Sequence, residues 1–297
     1  MQHRSIGYRL WKHLNKKYGG SNDVSVTENI ISGGGATDDC KIDNDEVSVT
    51  ENTIAKIEEN ENACSGYQIS GNNNHIIVVE NGIERELGQN ERIDGLNFIW
   101  NANDCIAKIH LPHRFLRTNV FMNYDETYFE IFPSKYSVDW DTEFVLGAPK
   151  GKIVVGNNFS CGQKNEFVVT TEVGTSIVIG DDCMFSHNIT IKTGDGHTIL
   201  DKFGEIINHG KNVEIGNHVW LAKNVFILKG VCIADNCVIG ANSLVTKSVD
   251  EKGCIAAGTP ATILKHDIQW NRDPIWKLEE EKNAASFNRL SSVETFE

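Results

Sequence analysis

Residues Ile215–Val245 read IGNHVWLAKNVFILKGVCIADNCVIGANSLV, and in this stretch Ile215, Leu221, Ile227, Ile233, Ile239 and Val245 fall six residues apart without a miss. With aliphatics at about a quarter of an ordinary sequence, six such hits have odds of roughly one in several thousand, or several hundred after the phase is chosen. The same phase extends backward through Val155, Cys161, Phe167, Val173, Ile179, Phe185 and Ile191. Glycine often follows the apolar residue, at Gly156, Gly174, Gly180, Gly216 and Gly240, where it is predicted to supply the backbone angles of a sharp corner. A strand and a corner every six residues build a prism. Hexapeptide repeats of this kind are a signature of parallel β-helices, in which each rung buries its inward residue on the rung below and stability comes from stacking.

On this register positions 197, 203 and 209 are His197, Phe203 and His209, so the aliphatic pattern lapses between Ile191 and Ile215. Thr193–Lys211 is polar and punctuated by glycine, which predicts a loop extruded from the coil, and such loops are where repeat proteins carry function. From Tyr67 the chain consists of short β-rich runs such as Ile76–Val79, Phe129–Phe132 and Ile153–Val155 between Gly, Asn and Asp. The hexads stop after Pro260, and Trp276–Leu290, rich in Glu, Lys and Ala, is predicted to form a closing helix.

The 297 residues are 40% hydrophobic and 23% charged, and no run approaches the roughly 18 apolar residues a membrane helix needs. Lys and Arg total 28 against 41 Asp and Glu, and the net charge of −13 argues against general binding to nucleic acids. Eight cysteines are too dilute for a disulfide scaffold, and no signal-peptide pattern opens the chain, so they read as cytoplasmic thiols. No Cys-x-x-Cys pair or standard zinc spacing occurs.

Charge is strongly segregated. Residues 1–20 hold Arg4, Arg9, Lys12, Lys16 and Lys17 and no acid, with Ile6, Leu10, Leu14 and Tyr18 spaced as one face of a basic amphipathic helix. Such a helix can dock on its own domain, on a partner or at an anionic membrane surface. Residues 21–66, with eleven acids and two lysines, repeat VSVTEN at Val24–Asn29 and Val47–Asn52 and read as a linker. The expected organisation is thus a basic segment (1–20), an acidic linker (21–66), a β-helix domain (67–260) and a tail with a helix (261–297).

Four histidines, His187, His197, His209 and His218, crowd 32 residues around the interruption. The repeats also resemble the γ-type carbonic anhydrases, whose ligands include a pair five residues apart. The intervals here are 10, 12 and 9, and no metal is expected.

A more specific likeness lies in Val213–Lys265, VEIGNHVWLAKNVFILKGVCIADNCVIGANSLVTKSVDEKGCIAAGTPATILK, preceded by DDCMFSHNITIKTGDGHTI at Asp181–Ile199. At these residues the sequence resembles the hexapeptide-repeat acyltransferases. Within them it is most like the bacterial sialic acid and polysialic acid capsule O-acetyltransferases, particularly in GDGH (Gly194–His197), INHGK (Ile207–Lys211) and GNHVWL (Gly216–Leu221). Good matching runs from about Gly156 to Trp270, and nothing before Tyr67 matches. The resemblance implies an all-β, left-handed parallel β-helix with short N- and C-terminal helices, a homotrimer, active sites between subunits and acetyl-CoA as donor. It assigns the general base to His197, whose neutral imidazole can take the proton of an attacking sugar hydroxyl. Asp195 either orients that imidazole or caps its turn, and Trp220 walls the site. Ala222, Lys223, Gly240, Ala241 and Thr246 fall where the family lines its pantetheine channel. Thr259 and Pro260 match the turn after the last coil, Lys265 falls where a basic residue faces the nucleotide phosphates, and Asn165 is a looser acceptor-contact candidate.

Three departures stand out: Thr198 where proline is usual, Ala222 for a common glycine, and Thr262 where some members carry a basic residue. The implied activity is O-acetylation of a capsular or surface glycan, sialic acid among the candidates, in the cytoplasm, with residues 1–20 available for a peripheral membrane or capsule-assembly contact. Acetylation of a nucleotide-sugar amine or small molecule, and a non-catalytic β-solenoid binding module, are the alternatives.

Overall fold

The computed structural model describes residues 67–283. Among the described residues there are three eight-stranded sheets, through which the chain winds in turn. Sheet 1 runs from Gln68–Ser70 to Leu244–Val245, sheet 2 from Ile83–Glu86 to Cys232–Ile233, and sheet 3 from Arg114–Phe115 to Ala261–Lys265. Pairing is parallel except where Ile83–Glu86 and Ala261–Lys265 fold back as antiparallel hairpins at the two ends. The architecture is a left-handed parallel β-helix. Ile215, Leu221, Ile227, Ile233, Ile239 and Val245 all point inward and are 3% exposed or less. Each such side chain contributes roughly 1.5–3 kcal/mol through burial. A second register two residues earlier, Val213, Val219, Val225, Val231 and Cys237, is equally buried.

Coil length explains the composition of the core. Glu214 pairs with Cys232 and Trp220 with Val238, eighteen residues on, and those strands are two or three residues long. Lower coils have five- and six-residue strands such as Leu96–Asn101 and Thr142–Gly147. Their wider interior is filled by Phe98, Trp100, Phe129, Phe144, Phe159 and Phe167, with Phe144 stacked on Phe167 at 5.0 Å.

The corners work differently from the sequence expectation. Of the five glycines on the six-residue phase only Gly174 has a positive φ, and it follows Val173, which is exposed. Gly156, Gly180 and Gly216 are needed because the coils touch there: a Cβ on Gly180 would lie 2.7 Å from the Gly216 carbonyl carbon and from Asn217 Oδ1. The left-handed conformation falls instead three residues after the inward one, on Asn158, Lys164, Asp182, Asn188, His218, Asn224, Asn236 and Asn242. Asn and Asp tolerate that conformation best among residues with a Cβ. Asparagine and aspartate side chains also cap backbone N–H groups of the adjoining coil. Asp181 Oδ1 accepts from Asn157 N, Asn217 Oδ1 from Asp181 N, and Asp235 Oδ1 from Asn217 N, at 2.7–2.9 Å. Corner donors that would otherwise go unpaired are satisfied in this way.

Val173 keeps the six-residue phase yet is 60% exposed. Lys152 pairs with Ser176, twenty-four residues on, and Ile177 with Val213, thirty-six on. Lys152 also pairs with Tyr128, twenty-four residues back, so the lower coils are six residues longer than an eighteen-residue coil and the looped coil eighteen longer, both multiples of the period; the phase survives although Val173 leaves the wall.

After the last hairpin a strap crosses sheet 3. Arg272 donates to Asp182 Oδ1, Ser160 Oγ and the carbonyls of Asn158, Asp182 and Cys183, and its guanidinium lies 4.2 Å from the Tyr136 ring centre. Residues 275–283 are helical, beginning one residue before the predicted closing helix, whose residues 284–290 lie outside the described ones. No helix among the described residues is long and apolar enough to cross a membrane. The predicted basic helix, acidic linker and duplicated VSVTEN lie outside the described residues.

Candidate active site

The extruded segment 193–211 leaves sheet 1 after Thr190–Lys192 and enters sheet 2 at Val213–Ile215, so it is rooted at the vertex between those sheets. The shorter excursion around residues 171–175 emerges from the same vertex one coil earlier, and the two are stapled together. Buried Thr193 donates through Oγ1 to the Thr170 carbonyl, accepts from Thr170 N, and meets Thr175 Oγ1 at 3.1 Å. His209 Nδ1 lies 3.0 Å from Glu172 Oε2, which also accepts from Gly210 N. These partners hold the Glu172 carboxyl below its ordinary range, His209 having the larger effect.

The glycines of the two loop motifs have steric causes. A Cβ on Gly194 would sit 1.5 Å from Thr171 Oγ1, and one on Gly210 2.6 Å from Glu172 Cβ, because both ends of the long loop press against the short one. Gly196 has φ +90°. The tip folds back through a Leu200–Ile206 bridge and exposes Ile199, Leu200, Phe203, Ile206 and Ile207, each 48–76% accessible.

His197 is exposed, and its ring makes no hydrogen bond or ion pair with the described residues. Asp195 does not orient it. Its Oδ2 accepts from Lys229 Nζ at 2.5 Å and from Asn208 Nδ2 at 3.0 Å, and these two, Lys229 first, keep the carboxyl below its ordinary range. Lys229 was not foreseen as a site residue, and Asn208 appeared only within the INHGK motif.

The remaining candidates fall elsewhere on the prism. Trp220 lies in sheet 3, the side opposite the vertex that roots the loop. Its ring centre is 5.9 Å from that of Trp270, which stacks on His218 at 4.0 Å and donates through Nε1 to the His218 carbonyl. His218 Nδ1 in turn meets Asp182 at 2.7 Å. Ala222 and Lys223, Gly240 and Ala241, and Thr259 and Pro260 form one column on the vertex between sheets 3 and 1. Asn242 N donates to the Lys223 carbonyl there, and Thr259 Oγ1 to the Asn242 carbonyl. Thr246 stands apart from that column, above the root of the loop, and Lys265 is exposed on the final hairpin.

Asn165 must be reassigned. It is 1% exposed, its Nδ2 donates to the Gly162 carbonyl and its Oδ1 accepts from Ile189 N, so its amide clamps a corner and is buried away from any acceptor. Among the described residues no three metal-ligating side chains gather. His187, His209 and His218 each hold a separate local partner.

Residues 212–247 match the family model described as bacterial transferase hexapeptide (six repeats). The polysialic acid O-acetyltransferase of Escherichia coli O1:K1 / APEC is 32% identical over 144 residues, 48% of this chain and 46% of that protein. The chain therefore spans about half the length of this curated relative. The crystal structure of the polySia-specific acetyltransferase NeuO superimposes with a TM-score of 0.61 at 25% identity, covering 76% of this chain and 98% of that one. The likeness is thus both to the repeat and to the arrangement of the coil as a whole.

Proposed function

We propose that the protein is an acetyl-CoA-dependent O-acetyltransferase whose acceptor is a hydroxyl of a capsular or surface glycan, polysialic acid being the candidate that the relatives suggest. The observation that carries this reading is His197: an exposed imidazole, unpartnered among the described residues, on a loop stapled at its root, in a coil that matches the polySia-specific enzyme over nearly that enzyme's whole length.

His197 takes the proton of the acceptor hydroxyl as the hydroxyl oxygen bonds to the thioester carbonyl carbon. The carbon–sulfur bond then breaks, and the proton passes to the leaving thiolate. A thioester is already activated, so the protein need supply only a base, positioning and stabilisation of the oxyanion. The column of Ala222, Lys223, Gly240, Ala241, Thr259 and Pro260 suits the pantetheine arm, since its exposed side chains are mostly short, and Lys223 and Lys265 offer point charges to phosphates.

One chain does not bring the pieces together. The loop bearing His197 is rooted opposite the sheet that bears Trp220, and the column lies at the far edge of sheet 1. We infer a homo-oligomer, a trimer in the simplest closed arrangement, in which the loop of one chain reaches the column and Trp220 of the next. The exposed apolar residues at the loop tip support such a contact.

The test is thiol release from acetyl-CoA across a panel of glycans, repeated with His197→Ala. A fall of about a thousandfold is expected for loss of a general base, and undiminished turnover would remove His197 from the role. The basic segment 1–20 is proposed to hold the protein near membrane-bound capsule machinery. Equal recovery on anionic vesicles with and without it would dismiss that part.

A further inference from the structure

We propose that Asn208 is a positioning residue that fixes the main chain on both sides of Thr198 and thereby sets where the His197 ring projects. This rests on the reading of His197 as the base. The Asn208 amide is fully engaged: Nδ2 donates to the His197 carbonyl at 2.8 Å and to Asp195 Oδ2 at 3.0 Å, while Oδ1 accepts from Ile199 N at 2.7 Å. Its own carbonyl accepts from Lys229 Nζ at 2.8 Å, and the same ammonium bonds Asp195. The ring of contacts therefore closes through Lys229, which stands on the next coil at the same vertex.

The chemistry of this ring admits few substitutes. Two of its positions face oxygen acceptors and one faces an N–H, which matches a carboxamide in a single orientation. A flipped amide would set Oδ1 against a carbonyl and a carboxylate. An aspartate loses both donations and sets a second carboxylate against Asp195 and the His197 carbonyl, a repulsion that pushes its oxygen off Ile199 N as well. The need for such a clamp follows from the backbone: Gly196 directly precedes His197, has φ +90° with open space around its Cβ position, and lies with Asp195 and His197 in an exposed stretch. Glycine brings the greatest backbone freedom of any residue, so the direction of His197 is otherwise weakly determined. Displacement of a catalytic group by about 1 Å can cost on the order of a hundredfold in rate.

The experiment compares Asn208→Asp, Lys229→Met and Lys229→Arg in the full-length protein. It reads kcat and KM for acetyl-CoA with polysialic acid as acceptor, and hydrogen exchange at the Ile199 amide. For Asn208→Asp, kcat should fall by about a hundredfold while KM for acetyl-CoA stays within about twofold and Ile199 exchanges faster. Lys229→Met should show a smaller fall that Lys229→Arg restores. Retained protection at Ile199, or unchanged kcat despite lost protection, overturns the proposal. His197→Ala, run in parallel, separates the two failures. If it too leaves kcat unchanged, the base assignment is at fault; if it abolishes turnover while Asn208→Asp does not, the clamp is.

Discussion

Two vertices of the same prism carry the same six-residue phase to opposite ends. Between sheets 3 and 1 the chain turns tightly on every coil, and asparagines stack: Asn188 Nδ2 donates to Asn224 Oδ1 and Asn224 Nδ2 to Asn242 Oδ1. Between sheets 1 and 2 two coils break outward, and the excursions are held by ionic and hydroxyl contacts: Glu172 with His209, Asp195 with Lys229, Thr193 with Thr170 and Thr175. The regular vertex presents a shallow column of mostly short side chains. The extruded one presents an imidazole without a partner among the described residues. A repeat protein can thus leave its core untouched and grow a reactive edge, provided that each excursion returns the chain to the same wall position.

The largest expected contrast is between two residues of identical phase. Ile179→Ala removes a 1% exposed side chain from the core and should cost about 2–5 kcal/mol in denaturant unfolding. Val173→Ala, six residues earlier but 60% exposed, should change stability by less than about 0.5 kcal/mol. Equal losses would mean that the excursion is part of the wall. Next, Gly180→Ala forces a Cβ against the coil above and should destabilise by about 1–3 kcal/mol. Gly204→Ala, in open space at φ +87° in the extruded loop, should cost about 1 kcal/mol of local order and leave the midpoint of global melting in place.

The smallest contrast is in acid. Asp195 and Glu172 have lowered folded pKa values, so their contribution is present above the ordinary carboxylate range and is lost as pH falls through their folded values. Amide exchange should show the loop at the vertex of sheets 1 and 2 opening below about pH 4 while the neutral asparagine ladder keeps its protection. Simultaneous opening of both would contradict the difference drawn here.

The coil was legible because an inward residue recurs every six positions and each one is read independently of the rest of the structure. That same independence is why Val173 misled: period six cannot register an excursion of six residues. The corners were legible only in composition. Gly156, Gly180 and Gly216 stand out in the sequence, but their cause is contact between coils eighteen or more residues apart in the chain, and the positive φ falls on Asn, Asp, Lys and His instead. Among site residues, His197 and the column candidates sit in local motifs. Asp195, Asn208 and Lys229 are joined only by folding, across 13 and 34 residues, and nothing local to Lys229 marks it. Asn165 shows the reverse case, a polar residue that invites a ligand role and is buried on two backbone contacts.

The central claim is that transfer takes place between chains, with the base from one and the aromatic wall from another. Mixing His197→Ala with Trp220→Ala chains under conditions that let subunits exchange tests it directly. Each variant alone should release thiol from acetyl-CoA slowly, and the mixture should regain activity well above the average of the two, because some interfaces then pair an intact His197 with an intact Trp220. A mixture no more active than that average would place both residues in one chain's site and contradict the account.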